Sequence, residues 1–184
     1  METIKGLKRT NYCGELRIED AGKEVTLFGW CQRQRDLGNL IFIDLRDRTG
    51  LVQLSFNDTT DREVFAKAQS VRAEYVVAAV GTVCERESKT NKIATGDIEI
   101  NVKEFRIISK AETPPFEIAK SEKVGDETTL KYRYLNLRNE KLTQNILMRH
   151  KIAKIAREYF YDNDFIEIET PMMIKSTPEG ARDY

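Results

Sequence analysis

Phe42, Arg33, Arg35 and Gln53 are the residues whose types and spacing point most directly to chemistry in this 184-residue chain. They fall in VTLFGWCQRQRDLGNLIFIDLRDRTGLVQLSF, residues 25–56. The stretch reads as three strands, Val25–Cys31, Leu40–Leu45 and Leu51–Phe56. A basic loop, QRQRDLGN, joins the first two, and a tight turn, DRTG, joins the second and third. Side chains alternate between faces along a strand. Ile41, Ile43 and Leu45 then face a core, as do Val52, Leu54 and Phe56, while Phe42, Asp44, Arg46, Gln53 and Ser55 face the other way. A large ring on a half-polar face, beside an arginine-bearing loop, suits stacking on a nucleic-acid base. Such stacking is worth on the order of 1–3 kcal/mol per base, with arginines adding charge and hydrogen bonds. One exposed phenylalanine needs no explanation by itself. The reading rests on the ring together with two arginines and an amide.

The elements that must position these residues follow in order. Asp61–Glu74 has Val64, Phe65, Ala68 and Val71 at helical spacing, with Asp61 as an N-terminal cap. Strands are expected at Tyr75–Cys84 and Asp97–Ile108, separated by the polar loop ERESKTNKIATG. Three strands, a helix and two strands is the order of an OB-fold, a five-stranded Greek-key barrel that often binds oligonucleotides. Its ligand surface is the face of strands 2 and 3, flanked by the 1–2 and 4–5 loops. Phe42 and Gln53 fall on those strands, Arg33 and Arg35 in the first loop, and Arg86, Lys89, Asn91 and Lys92 in the second. Independent cues converge on one surface.

Composition bounds the alternatives. With 40% hydrophobic and 33% charged residues, the chain suits one or two soluble domains with a real core. Thirty basic residues balance thirty acidic ones, so any attraction to a polyanion must come from a local patch. No apolar run approaches a membrane span, and METIKGLKRTNYCGEL lacks the apolar core of a signal peptide. Cys13, Cys31 and Cys84 are odd in number and widely spaced, which argues against a disulfide framework or zinc site and for a reducing, cytoplasmic setting. His150, the only histidine, has no ligand at metal spacing and reads as a structural or surface residue.

Past residue 108 the character changes. Ser109–Thr129, with its Pro-Pro pair and few aliphatics, reads as a linker. LKYRYLNLR leads into a long helix, Glu140–Asp162, with Leu142, Ile146, Ile152, Ile155, Ala156, Tyr159 and Phe160 on an apolar stripe. Phe165–Glu169 alternates as a short strand, broken by Pro171, and STPEGARDY is a polar turn. A helix, a strand and a loop cannot close a core, so residues 130–184 read as the opening of a larger domain.

RDLGNLIFIDLRDRTGLVQ, GTV, ATGDIEI, LKYRYLNLR, FIEIETPMM and STPEGARDY, in this order and spacing, resemble bacterial-type aspartyl-tRNA synthetase. The resemblance implies an OB-fold anticodon-binding domain over residues 1–108, a hinge over 109–129 and the start of a class II α+β catalytic domain over 130–184. FIEIETP is similar to that class's first motif, at the homodimer interface, with Pro171 as its proline. Phe42 would stack on the central anticodon base, a uracil, whose edge Gln53 and Arg35 would read. Glu99 would accept a hydrogen bond from the first anticodon base, and Arg33, Arg86 and Asn91 would be further contacts. Glu179 would hold the ammonium group of L-aspartate.

The whole enzyme would adenylate aspartate with ATP and Mg²⁺ and pass it to tRNA(Asp), by positioning and charge stabilisation rather than a protein nucleophile. The family's second and third motifs do not occur within these residues, so this chain alone is expected to be inactive in aspartate-dependent ATP–pyrophosphate exchange. Asn136 stands where the family has an aspartate. A stand-alone OB module that binds RNA or single-stranded DNA would explain residues 10–108 equally well. A sibling synthetase for lysine or asparagine is the remaining alternative, against which TPEGARDY and RDLGNLIFIDLRD speak.

Overall fold

A computed structural model describes residues 2–173, which divide into two units at Pro115/Phe116. In the first, β1 (Glu24–Asp36), β2 (Ile41–Arg46) and β3 (Leu51–Phe56) precede helix α1 (Arg62–Ser70), and β4 (Val76–Glu85) and β5 (Ile98–Ser109) follow it. The strands close a barrel in the order β1-β2-β3-β5-β4, with only β3 and β5 parallel. This is the expected five-stranded OB barrel with one helix between its third and fourth strands. Leu27, Ile41, Ile43, Leu45, Val52, Leu54, Phe56 and Phe105 fill its interior, and the Phe56 and Phe105 rings meet edge to face at 5.1 Å. Each such side chain contributes about 1.5–3 kcal/mol by leaving water.

The first strand is longer than its sequence pattern, and the reason is one extra residue. Val25, Leu27, Gly29 and Cys31 point inward in strict alternation, which would carry Arg33 and Arg35 into the core. The register against β2 instead steps from Cys31↔Leu45 to Arg33↔Asp44, leaving Gln32 as a β-bulge. The bulge reverses the parity, so Gln34 pairs with inward Ile43, and Arg35 pairs with outward Phe42. Arg33 and Arg35 therefore lie on β1 and not, as expected, in a loop. The chain turns only at Leu37–Leu40, where the Leu37 N–H donates to the Leu40 carbonyl (2.9 Å) and Gly38 takes φ +89°. A second bulge lies at Lys103, between Gly81↔Val102 and Val80↔Glu104, and lets Phe105 and Ile107 follow Val102 into the core.

Two local devices close the barrel. The Asp61 carboxylate caps α1 by accepting from the Glu63 and Val64 N–H groups (2.8 and 3.3 Å). The helix ends at Ser70 rather than Glu74, because the next residues return to β1. The Glu74 N–H donates to the Cys31 carbonyl (2.7 Å), and the Cys31 N–H to that of Tyr75 (2.9 Å). Sheet pairing overrides helical spacing there. Near the β2–β3 turn, a 3-10 turn (Cys13–Glu15) buries Cys13 and the following Leu16. It is held by the Cys13 N–H on Asp47 (2.7 Å) and the Gly14 N–H on Thr49 (2.8 Å). Burial pushes the Asp47 carboxyl up, but these bonds from Cys13 and those from Thr49 outweigh it and hold it below the usual range. All three cysteines are free thiols, and burial, with Asp44 and Glu74 nearby, pushes Cys31 up to about 12.

The second unit opens with a 3-10 stretch (Ile118–Lys123), followed by α2 (Asp126–Lys131), α3 (Arg133–Asn136) and the long α4 (Glu140–Asp162). The bounds of α4 are those its pattern predicts. Asn139 caps it, accepting from the Lys141 N–H (3.1 Å) while its amide donates to the Ile118 carbonyl (3.3 Å). The apolar stripe of α4 is exposed, including Ile152, Ile155 and Tyr159. Phe165–Glu169 forms no strand, contrary to expectation, because no strand lies alongside to pair with it among the described residues. Phe165 instead sets its ring against Phe160 at 5.4 Å, and Glu167 pairs with Arg157 (3.1 Å). Asn136 is buried, Pro171 lies in irregular chain, and Glu179 falls outside the described residues.

Deleting Gln32 removes the bulge and drives the two arginines toward the core. This should cost on the order of 3–5 kcal/mol in thermal or urea unfolding. Gln32→Ala keeps the bulge and loses only a 3.3 Å bond from Arg46, so it should cost less than about 1 kcal/mol. Equal losses for the two variants would refute the role given to the extra residue.

Candidate nucleic-acid interface

Cross-strand pairing lays the expected residues in a row over β1, β2, β3 and β5: Arg35↔Phe42, Arg33↔Asp44, Asp44↔Gln53 and Gln53↔Glu99. The Arg35 guanidinium carbon stands 5.4 Å from the Phe42 ring centroid. Its Nη2 donates to Asp44 Oδ1 (3.0 Å) and to Gln53 Oε1 (2.9 Å). Arg86, just past β4, donates from Nη2 to the same Gln53 oxygen (2.9 Å), and Gln53 Nε2 donates to Glu99 Oε2 (2.7 Å). One amide thus joins two guanidiniums and a carboxylate beside a half-exposed ring.

Gln53 has the outward parity expected of it, yet it is only 4% exposed. Its cover is the side chains that bond to it. Neighbouring Ser55 is buried likewise and donates to the Ile100 carbonyl (3.3 Å). The Arg35 Nε–H is buried with no protein acceptor, a state that costs about 1–3 kcal/mol when no ligand satisfies it. Arg33 lies exposed on the same face. Asn91 and Lys92 are exposed in the 4–5 loop, while Lys89 there pairs with Glu85. That loop is anchored by the Thr90 N–H on the Gly96 carbonyl (3.1 Å) and by the Thr95 hydroxyl on that of Leu51 (2.5 Å). The sequence reading placed Asp44 on this face but gave it no role, and it holds the Arg35 guanidinium. Its opposite charge, directly beside an arginine across the strand pair, was the available signal. Further along β2, Arg46 donates to both oxygens of Glu74 (3.0 and 2.7 Å) and so is committed within the fold.

Comparison with known proteins agrees with the OB barrel that carries this face. The family model described as an OB-fold nucleic acid binding domain matches residues 25–108, and that of the class II tRNA synthetases (D, K and N) matches 125–184. Residues 125–184 are thus similar to the class II synthetases of the aspartate, lysine and asparagine group. Over its whole length the sequence is similar to aspartate–tRNA ligases. It is 54% identical over its whole length to the aspartate–tRNA ligase of Ruminiclostridium cellulolyticum and to the aspartate–tRNA(Asp/Asn) ligase of Caldanaerobacter subterraneus subsp. tengcongensis. It covers 31% of each, so the chain spans about a third of the length of the curated relatives it matches. Among solved structures, it is similar to the aspartyl-tRNA synthetase of Entamoeba histolytica (27% identity, TM-score 0.82, covering 91% of this chain and 40% of that one). The asparaginyl-tRNA synthetase of Pyrococcus horikoshii complexed with asparaginyl-adenylate is comparable (28%, TM-score 0.81, 95% and 39%).

Gln53→Leu leaves two guanidiniums and Glu99 short of partners at a buried position. It should lower stability by roughly 1–3 kcal/mol in denaturant unfolding. A variant as stable as the parent would show that the amide is not what joins this row.

Proposed function

We propose that the face centred on Phe42 binds the anticodon loop of tRNA(Asp), as the anticodon-binding part of an aspartate–tRNA ligase. The observation that carries the reading is the Phe42 ring with Arg35 held across from it and the Gln53–Glu99 pair alongside. A uracil stacked on Phe42 presents carbonyl oxygens at its edge. The buried, unmatched Nε–H of Arg35 and the remaining amide hydrogen of Gln53 are the donors for them. Glu99 accepts from the first anticodon base, and Arg86, Asn91 and Arg33 contact the flanking nucleotides or their phosphates.

The whole protein then activates L-aspartate with ATP and transfers it to tRNA as a homodimer, with Glu179 holding the substrate ammonium and Pro171 at the dimer interface. The exposed apolar face of α4 supports such a partner surface. Among the described residues no group of three His, Cys, Asp or Glu side chains is placed to hold a metal, and no step through ATP or Mg²⁺ is assigned to them. Among the same residues, no helix is long and apolar enough to cross a membrane.

The test is binding of the chain to stem-loops at one fixed salt concentration, with GUC, GCC, the lysine anticodon UUU and GUU in the loop. GUU is included because relatives of equal identity carry both the aspartate and the aspartate/asparagine name. GUC should exceed GCC by on the order of tenfold, with Phe42→Ala removing the preference. Equal binding of all four, weakening together with salt, would leave only a generic nucleic-acid groove.

A further inference from the structure

The outward face of β1 and β2 continues beyond the Arg35–Phe42 pair. Along β2 it runs Phe42, Asp44, Arg46 and then Arg48 in the turn before β3. On β1 it runs back through Trp30, paired with Arg46, to Phe28. At that end the Arg9 guanidinium carbon lies 4.7 Å from the Tyr12 ring centroid and 5.4 Å from that of Phe28. Arg48 stands 5.7 Å from the Tyr12 ring. The four side chains form a column: Phe28, Arg9, Tyr12, Arg48.

Two features separate this column from the other arginines of the face. Arg35 is tied to Asp44 and Arg46 to Glu74, whereas neither Arg9 nor Arg48 pairs with a carboxylate among the described residues. The adjacent Asp47 and Glu15 accept from the backbone instead: Asp47 from the Cys13 and Thr49 N–H groups, and Glu15 from that of Tyr12 (3.3 Å). Both arginines are exposed, so the site presents positive charge not tied up in an ion pair, on pre-oriented planar groups. A guanidinium already held against a ring loses less freedom on meeting a phosphate.

We propose that this column is a second RNA contact, which takes the phosphodiester backbone of the stem adjoining the loop held at Phe42. The proposal rests on the anticodon-binding reading. Arg46, which pairs with Trp30 at the near edge of the column, lies four residue steps along β2 from Phe42, about 13 Å at a strand rise of roughly 3.3 Å. That is about four stacked nucleotides at ~3.4 Å per step, the distance at which a loop gives way to its stem. Because the column offers charge and no paired donor and acceptor, it reads backbone and not sequence.

The experiment is binding of the full chain to GUC and GCC stem-loops over a salt series from about 50 to about 300 mM. Arg48→Gln, an exposed turn substitution that touches no core residue, should weaken both RNAs alike, roughly three- to tenfold at physiological salt. The slope of log K against log salt should become shallower by about 1, and by about 2 when Arg9→Gln is added. A linear strand with the same loop sequence and no stem should bind both variants as it binds the parent. Unchanged slopes, a loss confined to GUC, or a fall in thermal stability alone would overturn the proposal; the last would make the column an internal staple for the N-terminal segment. If Phe42→Ala still abolishes the GUC preference while Arg48→Gln leaves the slope untouched, this inference fails alone. If the parent chain binds no stem-loop, both readings fail.

Discussion

One unpaired residue decides which way the arginines of this barrel face. Gln32 adds a single position to β1, and without it Arg33 and Arg35 would continue the inward parity of Leu27 and Cys31. Everything on the candidate surface follows from that reversal. Arg35 can stand over Phe42 only because it pairs with it, and it reaches Asp44 and Gln53 because those residues are its outward neighbours on β2 and β3. Bulges next to functional sites re-aim side chains in this way. Here the same irregularity keeps charge out of the core, so stability and recognition make the same demand.

The lower part of the face is built for rigidity. A buried amide that accepts from two arginines and donates to a glutamate leaves little freedom to any of the four groups. Phe42 needs no such bracing, since its ring is set by β2 itself. A stacking platform beside a pre-oriented hydrogen-bonding row is what recognition of an unpaired base requires. The neutral total charge sets the scale of the rest: any attraction to a polyanion is local, arising from a few guanidiniums on this face.

Much of this was legible in the residues. Strict alternation at Ile41–Leu45 and Val52–Phe56 revealed the two central strands and their inner faces, and the apolar period of residues 142–160 marked α4. The failures share a cause, which is that each depended on a partner distant in sequence. The length of β1 was hidden because Arg33 and Arg35 have the wrong parity for a simple strand, and only the pairing with β2 shows the bulge. Gln53 looked exposed because parity gives direction and not cover, and its cover comes from Arg86, thirty-three positions away. The last four residues of the expected first helix yielded to pairing with Cys31, and Phe165–Glu169 has the alternation of a strand without a neighbour to complete it.

The shared oxygen of Gln53 has a consequence for how errors would be felt. Two guanidiniums that lean on one acceptor are thermodynamically linked, so a displacement of Arg86 is transmitted to Arg35, and from there to whatever lies on Phe42. Contacts along this row are then coupled, and the losses on removing Arg86 and Arg35 together need not equal the sum of the separate losses.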